Sequence, residues 1–261
     1  MDEWLYRTPT AFHGKRLFRL GLAANFGIDE PGVRAAMDRG VNFFLWTMRS
    51  SGLANPLREA LRGRRDQVAV IGYSLIGWFG WGVRRGAEGL LKDLGTDRLD
   101  VLLLGWLGVT AAWTASTERE LRHLRESGKV GAIGVSIHNR VRAGKLAAES
   151  PLDLLMIRYN AAHPGAERDI FPHRREGRPT ILAYTATAWR RLLKPRRGWE
   201  GPPMTAGDCY RFQLNSPHVD LALTGPSSRA QIEENLAAMA KGPPTPEEDA
   251  RFRAFGRVVH G

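Results

Sequence analysis

The chain has 261 residues, 43% hydrophobic and 25% charged, enough for one globular unit with a substantial core. No apolar run approaches the roughly 20 residues needed to cross a bilayer, so no membrane partner is expected. The formal net charge of +11 comes from short clusters such as Arg62-Gly63-Arg64-Arg65, and none forms a long tail or a nucleic-acid motif, so nucleic acid is not an expected partner either.

The N-terminus, Met1-Asp2-Glu3-Trp4, lacks the basic start and apolar core of a signal peptide. Together with a single cysteine, Cys209, which allows no internal disulfide, this points to the cytoplasm. From there, short apolar runs alternate with amphipathic stretches. The predicted strands are Leu17–Leu22, Asn42–Trp46, Val68–Gly72, Asp100–Leu104, Gly131–Ser136, Leu152–Arg158, Thr180–Tyr184 and Val219–Leu223. The predicted helices between and after them are Glu30–Arg39, Asn55–Leu61, Val83–Leu94, Thr117–Ser127, Arg140–Glu149, Ala166–Ile170, Thr205–Leu214 and Arg229–Lys241. Ser116 and Glu118 open the fourth helix, and Asn55-Pro56 places a proline in the first turn of the second. Pro243 to Pro246 precede a last helical stretch at Glu247–Val258, a tail of about residues 245–261.

Eight β-then-α units imply an α/β fold, a closed (β/α)₈ barrel in one domain over 1–261, with a doubly wound open sheet as the competitor. Active sites of such barrels lie at the C-terminal strand ends. The weight therefore falls on 45–50, Tyr73-Ser74, Gly105-Trp106, 136–139, Tyr159-Asn160, Tyr184-Thr185 and 225–228. Trp46, Trp78, Trp81 and Trp106 fall near the same mouth, either stacking on a flat ligand or plugging the pocket. His138 and His163 read as loop hydrogen-bonders, and no His/Cys/Asp/Glu cluster has metal-ligand spacing.

The run Gly40-Val41-Asn42-Phe43-Phe44-Leu45-Trp46-Thr47 resembles the second-strand signature of the aldo-keto reductases, Gly-Ile/Val-Asn-Phe-Phe-Asp-Thr-Ala. The segment 94–106, Leu-Gly-Thr-Asp-Arg-Leu-Asp-Val-Leu-Leu-Leu-Gly-Trp, resembles the family's fourth strand, and 57–70 its second helix and third strand. The resemblance implies a catalytic set of Asp, Tyr, Lys and His. At those positions this chain has Leu45, Ser50, Tyr73 and Gly105. In the family the Tyr gives a proton to the carbonyl oxygen, the Lys and Asp depress its pKa, and the His orients the carbonyl. A phenol titrates near 10 when unperturbed and yields its proton reluctantly at neutral pH, and losing a positioned acid typically costs about 10²–10⁴-fold in rate. Tyr73 is either a relocated proton donor or a ring filling the space left by Lys.

The segment Thr224-Gly225-Pro226-Ser227-Ser228-Arg229-Ala230-Gln231-Ile232-Glu233-Glu234-Asn235 resembles the family's eighth-strand signature, Gly-x-Ser-x-x-x-Gln-x-x-Glu-Asn. A Gly-Ser turn feeding a helix N-terminus favours a phosphate, and the resemblance implies NADP(H), with Gly225, Ser227, Ser228, Arg229, Gln231, Glu234 and Asn235 around its adenosine end. Arg229 suits a 2′-phosphate, and Gln231 and Asn235 lie one turn apart toward the adenine. Ser136, Asn139, Tyr184 and Thr185 are the implied nicotinamide contacts, although Ile137 and Met156-Ile157-Arg158 depart from the family pattern there. The expected ligands are a nicotinamide dinucleotide and a small carbonyl, activated alkene or imine. The alternatives are a catalytically inactive NADP(H)-binding sensor or partner subunit, or a cofactor-free interaction scaffold.

Overall fold

The computed structural model describes residues 2–47, 50–175 and 178–260, so Met48 and Arg49 of the 45–50 segment lie outside it. The eight expected strands are present and parallel: β1 Leu20–Ala23, β2 Phe43–Trp46, β3 Ala69–Ser74, β4 Leu99–Leu104, β5 Val130–Ile137, β6 Leu154–Arg158, β7 Thr180–Tyr184 and β8 Leu221–Thr224. Each pairs with its neighbour in the chain, and β8 closes on β1 from Ala222–Leu20 to Thr224–Leu22. The open-sheet alternative is thereby removed. The helices are α1 Glu30–Asp38, α2 Ser51–Gly63, α3 Gly80–Leu94, α4 Ala115–Glu126, α5 Arg140–Glu149, α6 Ala166–Asp169, α7 Ala206–Asn215, α8 Arg229–Met239 and α9 Pro246–His260.

Several boundaries depart from the sequence reading, three of them for local reasons. The run Leu17–Leu22 is split: Leu17–Phe18 pairs antiparallel with Tyr6–Arg7 below the barrel, and β1 begins at Leu20. The break is Arg19, which is buried and donates to the carbonyls of Asp220, Leu214 and Val219. Helix α2 begins four residues earlier than expected. Pro56 therefore sits inside it, where its missing N–H leaves the Gly52 carbonyl without its helical donor. Helix α4 is capped by Thr114, not Ser116. The Thr114 side chain accepts from Thr117 N while the Thr117 side chain accepts from Thr114 N.

Strand alternation makes two apolar layers. Phe43, Leu45, Ile71, Val101, Leu103, Leu154, Met156, Leu182 and Leu223 fill the barrel, which Phe12 and Leu17 close from below. The intervening strand residues pack outward against the helices. Trp46 belongs to this outer layer, 3% exposed and away from the mouth where the sequence reading put it.

The lower rim carries a device repeated four times. Asn42, Asp100, Asp153 and Asp220 stand just before or at the start of the even strands, and each accepts a backbone N–H from the preceding odd strand or its approach. The donors are Phe18, Val70, Ile133 and Ile181, at 2.7–2.9 Å. Cations hold the three carboxylates: Lys15 and Arg65 on Asp100, Arg125 and Arg178 on Asp153, Arg7 and Arg174 on Asp220. These bonds fix the register of alternate strands, and hence which residues reach the upper rim.

Candidate functional site at the barrel mouth

A cleft of about 820 Å³ opens at the lower end of the barrel, lined by Lys15, Arg65, Asp97, Arg98, Asp100 and Lys129 among others. Three of its basic groups are engaged with protein carboxylates: Lys15 and Arg65 with Asp100, and Lys129 with Glu88 at 3.0 Å. Backbone strain points to the opposite end. Among the described residues six non-glycine positions have positive φ, and five of them, Trp106, Thr185, Ala188, Trp189 and Arg190, lie on loops above β4 and β7. Such strain gathers where a fold holds functional groups in place.

Leu45, Tyr73 and Gly105 occupy the upper ends of β2, β3 and β4, as expected of strand-end positions. Leu45 is buried in the apolar barrel interior, where a carboxylate would have no partner. Gly105 and Tyr73 are fitted to each other. A Cβ on residue 105 would lie 2.7 Å from two atoms of the Tyr73 ring. Ser50 is buried at the start of α2, and its hydroxyl lies 3.2 Å from that of Thr47. It is absorbed in a local turn rather than aimed into the mouth.

Tyr73 and Tyr184 both come within reach of the buried Ser136 hydroxyl, one from β3 and the other from β7. Burial pushes the Tyr73 phenol above its ordinary pKa, offset in part by Ser136 and the Trp106 backbone. Burial likewise pushes Tyr184 up to about 12, against the opposing pull of Ser136 and Arg158. The Tyr184 hydroxyl is hydrogen-bonded to Nε2 of His138, whose ring lies 4.9 Å from that of Trp106. Burial, then the charge of Arg158, lowers the His138 pKa, so the imidazole is neutral at neutral pH. The mouth therefore holds two protonated phenols, a serine and a neutral imidazole.

Arg158, at the end of β6, is the residue whose role the sequence reading did not foresee. It is half-buried, outside every ion pair among the described residues, and 5.6 Å from the centre of the Trp189 ring. Its strand-end position was the available signal. His163 is held by Asn160, with Nδ1 3.0 Å from Oδ1, and Asn160 in turn donates to the Thr185 carbonyl at 2.8 Å. That network fixes the half-buried Thr185 at φ 54°. Cys209 is buried in α7, and burial raises its thiol pKa.

The β8–α8 turn is the other half of the site. Ser228 caps α8, accepting from Gln231 N at 3.3 Å. Gln231 folds back onto Ser227, taking its N–H at 2.8 Å and its hydroxyl at 3.1 Å. Gly225, Ser227, Arg229, Gln231 and Glu234 are exposed. Asn235 is not: it is buried and donates to Thr224 Oγ1 at 3.1 Å, so the pair expected to face outward together is divided. Arg229 pairs with Glu233 one turn along α8. Phe26, from the β1–α1 loop, covers Gly225, where a Cβ would lie 2.4 Å from its ring. Asn139 is exposed and caps α5 by accepting from Arg142 N, so it does not join Ser136 and Tyr184.

Residues 82–197 match the family model described as the aldo/keto reductase family. The chain is similar to the aldo-keto reductase YhdN of Bacillus subtilis (strain 168), 26% identical over 166 residues that cover 58% of this chain and 50% of that protein. This match thus spans about half the length of that curated relative. Among solved structures it is similar to the glycerol dehydrogenase AKR11B4 of Gluconobacter oxydans, with 19% identity, TM-score 0.76, and 100% and 98% of the two chains covered. It is also similar to an aldo/keto reductase of Klebsiella pneumoniae solved with NADP and acetate, with 20% identity, TM-score 0.75, and 96% and 95% covered. The structural likenesses agree on the barrel, and the family model and the curated relative, each over part of the chain, show its similarity to the aldo-keto reductases.

Proposed function

We propose that this protein binds NADP(H) at the β8–α8 turn and acts, slowly, as an oxidoreductase on a small carbonyl or related substrate through a rebuilt mouth. The observation that carries this reading is the hydrogen bond between the Tyr184 hydroxyl and His138 at the mouth, with the Tyr73 ring fitted against Gly105. The turn suits a dinucleotide phosphate. It is exposed, it caps an eleven-residue helix, and the Arg229–Glu233 pair is an exposed one that a phosphate can displace. The NADP in the Klebsiella pneumoniae structure gives independent support. When bound, the cofactor supplies the hydride. The chain's own residues position the carbonyl: Tyr184 offers its proton as a hydrogen-bond donor, and Arg158 provides positive charge beside it. With Lys, Asp and His absent, the phenol keeps a high pKa and proton delivery is weak. Leu45, Ser50, Tyr73 and Gly105 therefore mark a site without the family's catalytic set.

A second reading is favoured by the apolar surroundings of Leu45 and by the raised pKa of both phenols. In it the protein is a catalytically inactive NADP(H) sensor. The single cysteine, Cys209, suits a reducing, cytoplasmic setting for either activity. The deciding experiment is a titration with NADPH, followed by quenching of tryptophan fluorescence. Saturable binding at micromolar cofactor is expected, and its absence at high micromolar cofactor removes both readings. A carbonyl panel then separates them. Turnover that falls about 10²-fold or more in Tyr184→Phe supports catalysis. Tight cofactor binding with no turnover leaves the sensor.

A further inference from the structure

Every large apolar side chain that is exposed among the described residues lies at one end of the barrel. Leu75, Ile76, Trp78, Phe79 and Trp81 stand 47–66% exposed between β3 and the first turn of α3. Trp106 and Val109 follow β4, and Phe26, Val141 and Trp189 follow β1, β5 and β7. All these segments leave the barrel at its C-terminal mouth. Single exposed apolar residues need no explanation, whereas a gathered set marks a contact surface.

The densest part, above β3 and β4, is built rather than frayed. Gly77 N donates to the Thr110 carbonyl at 3.2 Å, and Ala112 N to the Gly77 carbonyl at 2.9 Å, tying the two loops together. Gly80 N donates to Ser116 Oγ at 3.2 Å, and the Phe79 and Trp81 rings stack with centres 6.5 Å apart. Its charge is one-sided. Neither 75–83 nor 105–117 contains an acidic residue. Arg85 and Arg142, exposed near the N-termini of α3 and α5, take part in no ion pair among the described residues. Across the mouth, the β7–α7 segment 185–205 brings five basic residues against the single acid Glu200.

Indole and phenyl rings settle at the boundary of hydrocarbon and water, and guanidinium groups pair with lipid phosphates. A second copy of this chain fits less well, because a two-fold interface through the mouth would set like-charged rims against each other. We propose that the loops above β3 and β4 dock onto an anionic lipid surface. Strand β8 stands opposite β4 in the eight-stranded ring, so docking leaves the Gly225–Ser228 turn open. The absence of an expected membrane partner followed from the lack of a spanning segment, and interfacial docking requires none. The inference holds with or without cofactor binding.

The test is co-sedimentation of the full chain with vesicles of phosphatidylcholine, or of phosphatidylcholine with about one-third phosphatidylglycerol. Binding at least tenfold stronger to the anionic vesicles, weakened by salt, is expected. Arg85→Ala should lower it about fivefold. Phe79→Ser with Trp81→Ser should lower it at least tenfold while the melting temperature is unchanged, since both rings are exposed. Brominated lipid should quench the tryptophans of the unmodified chain, a reading that requires no variant. Lack of sedimentation and of quenching with anionic vesicles overturns the proposal. So does a serine double variant that binds as the parent does, or a dimer that this variant converts to monomer.

Discussion

The contact between Gly105 and Tyr73 can be tested as a pair. Placing a methyl group on residue 105 brings it within 2.7 Å of the Tyr73 ring and of Leu75 Cδ2, well inside van der Waals contact. Gly105 is buried and held by its N–H bond to the Ser74 carbonyl, so its backbone has little room to retreat. Overpacking of this kind costs about 1–3 kcal/mol. For a chain of this size each kcal/mol lowers the melting temperature by roughly 2–4 °C. Gly105→Ala should therefore melt several degrees below the parent. Tyr73→Ala removes the ring and leaves only Leu75 Cδ2, the far end of a side chain that is 54% exposed and can turn aside, so in that background Gly105→Ala should be nearly neutral. Denaturant unfolding of the parent, both single variants and the double variant gives the coupling. The double variant should be about 1–3 kcal/mol more stable than the sum of the single losses predicts, well beyond the few tenths expected of independent sites. If Gly105→Ala costs the same with and without the tyrosine ring, Tyr73 does not occupy that volume, and the mutual fit of Gly105 and Tyr73 is wrong. Gly105→His should be worse than alanine unless Tyr73→Lys accompanies it, which is why restoring the family's residues singly should fail.

Asp153→Ala should destabilise by about 2–4 kcal/mol in urea unfolding, because it leaves the Ile133 N–H and two arginines without their shared acceptor. His163 has its pKa lowered to about 4, first by burial and then by Arg158. The unfolded chain thus takes up a proton that the folded one refuses, and stability contributed by the neutral ring is lost as pH falls from about 6.5 toward 4. The melting temperature of the parent should drop more steeply than that of His163→Gln across this window, and parallel curves would remove the argument. Arg229→Ala should weaken NADPH about tenfold in the fluorescence titration while leaving NADH nearly unchanged, since only the former has a 2′-phosphate to lose. Equal losses would place Arg229 elsewhere on the nucleotide.

The barrel was legible because buried parallel strands are written as apolar runs of fixed length, and helices between them as amphipathic stretches. Boundaries were less so. Arg19 interrupts a continuous apolar run, and only the tertiary carbonyls it binds explain the break there. The lower-rim acceptors show a different kind of blindness. Gly-Val-Asn42-Phe, Arg-Leu-Asp100-Val, Pro-Leu-Asp153-Leu and His-Val-Asp220-Leu share one local pattern, an apolar residue followed by Asn or Asp at a strand start. They recur at unequal intervals of two βα units, so no fixed period reveals them. The site divides the same way. Strand-end positions such as Leu45, Tyr73 and Gly105 follow from counting along the chain, because side chains alternate in a strand. What these groups touch does not follow. That Tyr184 meets His138, and that Arg158 is in no ion pair among the described residues, depend on how neighbouring strands are staggered, and that Asn235 turns inward to Thr224 depends on how its helix packs on the last strand. The lower-rim bonds set that stagger. The chemistry available at the mouth is therefore decided in part at the other end of the barrel, and a change at Asp153 should disturb the Ser136–Tyr184 contact as well as stability.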